Sequence, residues 1–410
     1  MPSHDEMPEE ELWERSQSDE VSDRADSLME LAHRARNRND YEVAKNLYGS
    51  ALDLFVELER ETDAGVANYS LGYCLYRLYK FAEAVTSLTA SLARGREIND
   101  AKTIAYSAGP LGDSHSALEN TSEAIEAYEL AVDAFVDIEE HAQAGINALS
   151  LGELYGIQGR QTRALECFIR AFNLFQSGGD GFGGARAKDR MASALIELGD
   201  FDQALMHLKD ALDIFVFMDR DERIAHAHYR LGWTLNLAGK YLQAEEPLRY
   251  AIKSFKENDE FSRAGLAELQ LAYSLIFRDL DADHTAAQRL IDRAAAYFDA
   301  AGEQVNVLVA HSITSERLIN EGSFFAAAEL WRDILNRALS YEDDYSARSA
   351  RASLAECLFQ LGQNTEAKEI FSEINAADWG ENKPELERIE RIKQLMLEKM
   401  AETLNIELPH

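Results

Sequence analysis

The sequence predicts an all-α protein, an α-solenoid of about nine helix hairpins plus a C-terminal capping helix. Three columns of residues predict it. Ala44, Ala84, Ala124, Ala164, Ala204 and Ala244 stand 40 residues apart, and so do Leu71, Leu111, Leu151, Met191, Leu231 and Leu271. The turn residues Tyr41, Phe81, Phe201 and Tyr241 hold the same register, with Thr121 and Gln161 replacing the aromatic in two copies. A fixed period of this length marks an array in which each unit buries its apolar face on its neighbours. Beyond Ala244 the anchors continue as Ala287, Ala327 and Ala367, which carries the array from about Val21 to about Trp379.

The clearest copy spans residues 225–255. Leu231, Gly232 and Leu235 mark a first helix, Gly239-Lys240-Tyr241 a turn, and Ala244, Leu248, Ala251 and Phe255 a second helix at steps of three and four. Small residues at Gly232 and Ala244 let the two backbones approach. The Leu71-Gly72, Leu151-Gly152 and Leu231-Gly232 pairs, followed by the alanine column, resemble the tetratricopeptide repeat. The long period is similar to the variety in kinesin light chains, Leu-Gly-Asn adaptors and bacterial regulators. The resemblance covers about nine tenths of the chain. It implies a right-handed superhelix, and a platform for binding rather than any one activity.

In chain order, residues 1–20 carry eight acids against Arg15 and predict a disordered tail. Its Leu12-Trp13, set among glutamates, loosely resembles the tryptophan-acidic peptides that kinesin light chains bind; the alternative is Trp13 against the first hairpin or in solvent. Repeats one to four occupy 21–177, with Gly109-Pro110 predicting a kink in the first helix of repeat three. Residues 178–184 are the glycine-rich stretch and predict a mobile hinge between half-solenoids. Their G-x-G-x-x-G spacing follows a helix, not the strand a dinucleotide site needs. Repeats five to nine occupy 185–380. The turn Asp279-Leu280-Asp281-Ala282-Asp283-His284 lacks the glycine and glutamate of a calcium loop and reads as solvated carboxylates. Residues 381–403 predict the solvating cap, with Leu386, Ile389, Ile392, Met396 and Met400 on one stripe; a helix forming a homodimer is the alternative.

A formal charge of -32 argues against nucleic acid, which demands cations to displace counterions. It favours a basic partner, or simply keeps a long array soluble. No apolar run is long enough for a membrane span. Cys74, Cys167 and Cys357 are scattered, the first residues are acidic where a secretory signal is basic and apolar, and a reducing cytoplasm is the expected address. His226 and His228 are two apart and point different ways on a helix, and no H-E-x-x-H, phosphate loop or nucleophile elbow occurs. No enzyme, cofactor or metal is expected.

The resemblance implies that first helices line a concave wall. Carried onto this chain, it places there Tyr69, Tyr73, Tyr76 and Arg77, then Tyr106 and Asp113, with Glu153 from repeat four. Repeat five adds Arg186 and Asp189, repeat six Tyr229, Trp233 and Asn236, and repeat seven Tyr273 and Phe277. Aromatics with interspersed acids fit a protein or peptide partner carrying Lys or Arg beside an apolar anchor. The backbone-clamping asparagine of the Leu-Gly-Asn adaptors is missing from the column after the glycine, and so is the lysine-rich clamp for chaperone C termini. Two functions stand: an interaction scaffold, and a peptide- or ligand-gated regulator whose solenoid changes shape.

Overall fold

A computed structural model describes residues 7–278, 283–374 and 382–404. Among these there is no strand, and helices follow one another as hairpin pairs. A short α1 (Glu9–Arg15) precedes nine hairpins. They pair α2 (Val21–Asn37) with α3 (Tyr41–Glu57), α4 (Glu61–Arg77) with α5 (Phe81–Glu97), and α6 (Ala101–Ala117) with α7 (Thr121–Asp137). Then come α8 (His141–Ile157) with α9 (Gln161–Ser177), α10 (Gly181–Glu197) with α11 (Phe201–Phe217), and α12 (Asp221–Leu237) with α13 (Tyr241–Glu257). Last are α14 (Phe261–Phe277) with α15 (His284–Ala301), α16 (Gln304–Asn320) with α17 (Phe324–Ser340), and α18 (Asp344–Gln360) with α19 (Asn364–Ser372), before α20 (Lys383–Leu404).

The side-chain columns explain the pairing. All nine anchor alanines, from Ala44 to Ala367, are fully buried. The glycine column faces the residue four after each anchor: a Cβ on Gly152 would lie 2.4 Å from Phe168, and one on Gly232 2.4 Å from Leu248. Only hydrogen fits there. Between hairpins, Phe55 and Ala51 close against Ala25 behind and Ala64 and Ala67 ahead. Each fully buried side chain of this size contributes about 1.5–3 kcal/mol.

The backbone repeats twice as often as the side chains. From Asn39 to Asp259 a residue with positive φ recurs every 20 positions, and Asn39, Glu59, Tyr79, Asn99, Glu119 and Glu139 take that left-handed conformation without being glycine. At each, two bonds close the preceding helix, as Asn39 N–H to Arg36 O and Asp40 N–H to Ala35 O do. This double closure satisfies carbonyls that a helix end leaves unpaired. The next residue then starts the following helix. Asp40, Asp200 and Asp343 accept a backbone N–H from their own first turns.

The chain divides into two compact units, residues 1–157 with 166–187, and 158–165 with 188–410. α9 and α10 straddle the division. The loop expected at 178–184 is shorter than that. Gly178, Gly179 and Asp180 make a connection of the usual three residues, and Gly181 already begins α10. Asp180 accepts the Gly183 N–H at 2.8 Å, and a Cβ on Gly183 would strike Phe175 at 2.3 Å, so the glycine serves packing.

Of the tail expected to be disordered, residues 1–6 lie outside the described residues, and Glu9–Arg15 is helical instead. Within it α1 buries Leu12 against Met7, Leu31 and Leu47, leaving Trp13 44% exposed, and Glu9 pairs with Arg38 at 2.7 Å. α6 is helical through Pro110. The aspartate turn of repeat seven lies outside the described residues apart from Asp283 and His284, of which Asp283 caps α15 by accepting the Ala286 N–H. On α20, Ile389 and Ile392 are buried against Ala352 and Ala355 of α18 and Phe371 of α19. Its start also reaches back to α10, where Asn382 donates to Glu197 at 2.5 Å and Lys383 lies over Gly199. The side chains of Met396 and Met400 lie outside the description.

Candidate functional site

In the first unit, α2, α4, α6 and α8 border one cleft of about 600 Å³. Five of the expected wall residues, Tyr69, Tyr73, Arg77, Tyr106 and Asp113, line it, while Tyr76 lies outside it. Register explains the grouping: Tyr69, Tyr73 and Tyr76 follow at steps of four and three on α4 and fall on one face. Their rings form a continuous row. Tyr69 lies 6.4 Å from Tyr73 and 6.0 Å from Tyr106, Tyr73 lies 6.5 Å from Tyr76, and Tyr106 meets Phe135 edge-on at 5.1 Å. The Tyr69–Tyr106 and Tyr106–Phe135 pairs meet edge to face and the two pairs along α4 are tilted, all at separations where aromatic rings attract.

Arg77 is ordered by this row. Its guanidinium sits 4.5 Å from the Tyr41 ring centre and 5.9 Å from that of Tyr73, and its Nη1 donates to the Tyr73 hydroxyl at 3.0 Å. Asp113 accepts from Tyr128 at 2.7 Å, and the Tyr76 hydroxyl lies close enough to favour its charged form. Burial pushes the Asp113 carboxyl above its usual range, while these two hydroxyls oppose the rise. Burial likewise pushes the Tyr69 phenol up to about 12, against the pull of the nearby Arg36 charge. The Cys74 thiol is pushed up to about 11, which keeps it protonated, the opposite of what a nucleophile requires. The cleft offers flat apolar faces, hydroxyls and guanidinium donors.

The second unit uses the corresponding columns differently. Asn236 stands where Tyr76 does relative to the glycine column, yet it is only 3% exposed. Its amide donates to Gln270 O at 2.8 Å and its oxygen accepts from Ser274 at 2.7 Å, so it ties α12 to α14 instead of facing an open wall. Asp189 is bound to buried Arg230 at 2.7 Å, and Arg230 also donates to Ser193. Trp233 packs beside Ala192, Leu195 and Leu208, and Tyr229 beside Ala225, Leu235 and Phe255. Tyr273 and Phe277 stack at 4.5 Å beside Tyr241. Burial raises the Tyr273 phenol, while Arg388 and Arg391 of α20 are close enough to oppose the shift. Glu153 and Arg186 are half-buried outside the cleft.

Sequence reasoning missed Arg36, Asn37 and Asn39, which border the cleft from the end of α2 and its turn. The resemblance placed the wall on the middle of each first helix. The left-handed Asn39 turn, one of the series repeating every 20 residues, was the signal that α2 ends beside it.

Among the described residues no helix is long and apolar enough to cross a membrane. Two tetratricopeptide-repeat family models match the chain, one at residues 145–215 and 184–257 and another at 29–97. No curated protein sequence matches. Among solved structures, the apo form of RapI superposes with a TM-score of 0.57 at 13% identity, covering 83% of this chain and 98% of that one. The quorum sensor NprR from B. thuringiensis, also apo, gives 0.55 at 12% identity, covering 93% and 100%. A signal-transduction ATPase with a tetratricopeptide-repeat sensor, PH0952 from Pyrococcus horikoshii, gives 0.59 at 17% identity, covering 72% of this chain and 44% of that one. At such identities the likeness is one of fold.

Proposed function

We propose that the chain, which tetratricopeptide-repeat models match at residues 29–97 and 145–257, is a non-catalytic interaction scaffold holding a peptide segment of a partner protein in the first unit's cleft. One observation carries this reading: the row Tyr73, Tyr69, Tyr106 borders a cleft of about 600 Å³ with its rings only half-buried. Amphipathic aromatics on a rigid helix face are the groups that anchor peptides most strongly, because they bury much area for little lost entropy. The sequence favoured a partner segment with Lys or Arg beside its apolar anchor. That preference draws on the overall charge of -32, which attracts basic partners at long range. The acids assigned to the wall add little to it, since Asp113 and Asp189 are already bonded within the chain.

The test is a selection of random peptides of about seven residues on the full-length protein, followed by titration of those retained. Tyr73→Ala and Tyr106→Ala should each weaken a retained peptide by roughly thirtyfold, the loss expected for a buried aromatic anchor worth about 2 kcal/mol. Peptides that bind these variants as well as the parent would move the site elsewhere. The second reading, a ligand-gated regulator, is favoured by the fold shared with a quorum sensor and with a sensor-bearing signal-transduction ATPase. Solution scattering with and without a retained peptide separates the two, since only the regulator must change shape on binding.

A further inference from the structure

The chain holds 73 acidic side chains against 41 basic ones, so a cation left without a carboxylate needs a reason. Most arginines of the first unit have theirs. Arg60 binds Asp26 and Asp63, Arg94 binds Glu61, and Arg38 binds Glu9. Arg36 and Arg77, like Arg24, Arg96 and Arg186, have no carboxylate partner among the described residues, and what sets these two apart is that both border the same cleft.

Their surroundings leave them available. Arg77 spends one of its five N–H groups on the Tyr73 hydroxyl and lies against the Tyr41 ring, so it is held in place with donors to spare. Arg36 borders both the cleft and an adjoining cavity of about 430 Å³ shared with Tyr69, Tyr106 and Lys102. The acids that line the two cavities are occupied, while Glu140 stands near the Tyr106 phenol beside them. Asp113, the carboxylate lining the cleft, accepts from Tyr128; Asp100, in the adjoining cavity, caps α6 through the Lys102 N–H and accepts from Thr103. A small cationic site is thereby set into an acidic chain.

Resting on the reading of this cleft as a peptide site, we propose that Arg36 and Arg77 bind a carboxylate of the peptide while its apolar side chain lies on the tyrosine row. Guanidinium–carboxylate bonds are charge-assisted, and an arginine already ordered on aromatic faces loses little freedom in making them. The surrounding acids disfavour an anion that does not reach both arginines, which selects for position as well as charge.

The experiment uses the peptides selected on the full-length protein. Retained sequences carry Asp or Glu, or depend on a free C terminus; Glu→Gln exchange in the peptide and C-terminal amidation tell the two carboxylates apart. Removing the carboxylate that matters weakens binding about tenfold, as do Arg36→Gln and Arg77→Gln, and combining the peptide change with either protein change costs little more than one alone. The peptide-side changes leave the protein untouched, so a folding defect cannot imitate the result. Retained peptides that are neutral or basic and bind both glutamine variants normally overturn the proposal, even if they still need Tyr73. Peptides indifferent to Tyr73→Ala and Tyr106→Ala, or no retained peptide at all, remove the cleft itself as the site.

Discussion

The two units carry the same repeat columns and spend them in different ways. On α4 of the first unit, the positions one and four after the glycine hold Tyr73 and Tyr76, which stand in the row beside the cleft. On α12 of the second, the same positions hold Trp233 and Asn236, one half-buried against Ala192, Leu195 and Leu208 and the other buried and bonded to α14. Arg230, Asp189 and Ser193 likewise join α12 to α10, and α20 covers part of α18. A repeat fixes where a side chain stands, but its neighbours decide whether it ties the array together or remains free to meet a ligand.

The contrast is tested most severely at Glu268, whose side chain is fully buried and held by Lys256 and by both nitrogens of an Arg293 fork. Changing Lys256 and Arg293 together to Met strands that carboxylate, and the second unit should lose about 3–5 kcal/mol. Hydrogen exchange read along the chain should show the loss in α13 to α15 while α4 and α6 keep their protection. A loss spread evenly over both units would mean that they unfold as one.

Removal of α20, by ending the chain before residue 382, uncovers Ala352, Ala355 and Phe371 and forfeits the burial of Ile389 and Ile392. Two such side chains imply a loss of about 3 kcal/mol from the second unit. Chemical denaturation should reveal it, and peptide binding by the first unit should be unchanged. Weaker peptide binding on this truncation would break the assignment of function to the first unit.

The pair Tyr73→Ala and Trp233→Ala sharpens the comparison further. Trp233→Ala leaves a partial cavity and should cost about 2 kcal/mol of stability. Tyr73→Ala should cost less than about 1 kcal/mol while removing most of the binding, because its half-buried ring borders the open cleft, whereas Trp233, half-buried as well, lies against Ala192, Leu195 and Leu208. Thermal melts and titrations on both variants settle the matter; a reversed pattern would exchange the roles of the two units.

The smallest effect belongs to Asp113. Its carboxyl is raised in the folded state, chiefly by burial, so the folded chain holds that proton more tightly than the unfolded chain does. Stability from this group is therefore full below the unfolded value and declines as pH rises through the folded one, from about pH 4 upward. Asp113→Asn should flatten that decline in urea midpoints measured across mild acid. An unchanged pH profile would show that the Tyr76 and Tyr128 hydroxyls fully offset the burial.

How much of this was legible varied by residue. The anchor alanines and the glycines opposite Leu88, Phe168 and Leu248 were readable because close helix approach admits only small side chains, a local rule expressed at a fixed interval. The glycine-rich stretch at 178–184 misled because composition alone does not reveal that Gly183 lies under Phe175. The tail misled because its acids outnumber its apolar groups, although the single residue Leu12 finds a pocket between α2 and α3.

By itself, then, the sequence determined the hairpin, its period and the aromatic character of α4, since each depends on residues within a few turns of one another. Only the tertiary structure decided that Arg36 and Arg77 meet at one cleft, that Asp113 is occupied by Tyr128, and that Asn236 is consumed by α14. Those outcomes depend on which first helices become neighbours and on which polar groups find partners there. Electrostatic and hydrogen-bond pairing falls off over a few ångströms, and a linear order of residues carries no record of such distances.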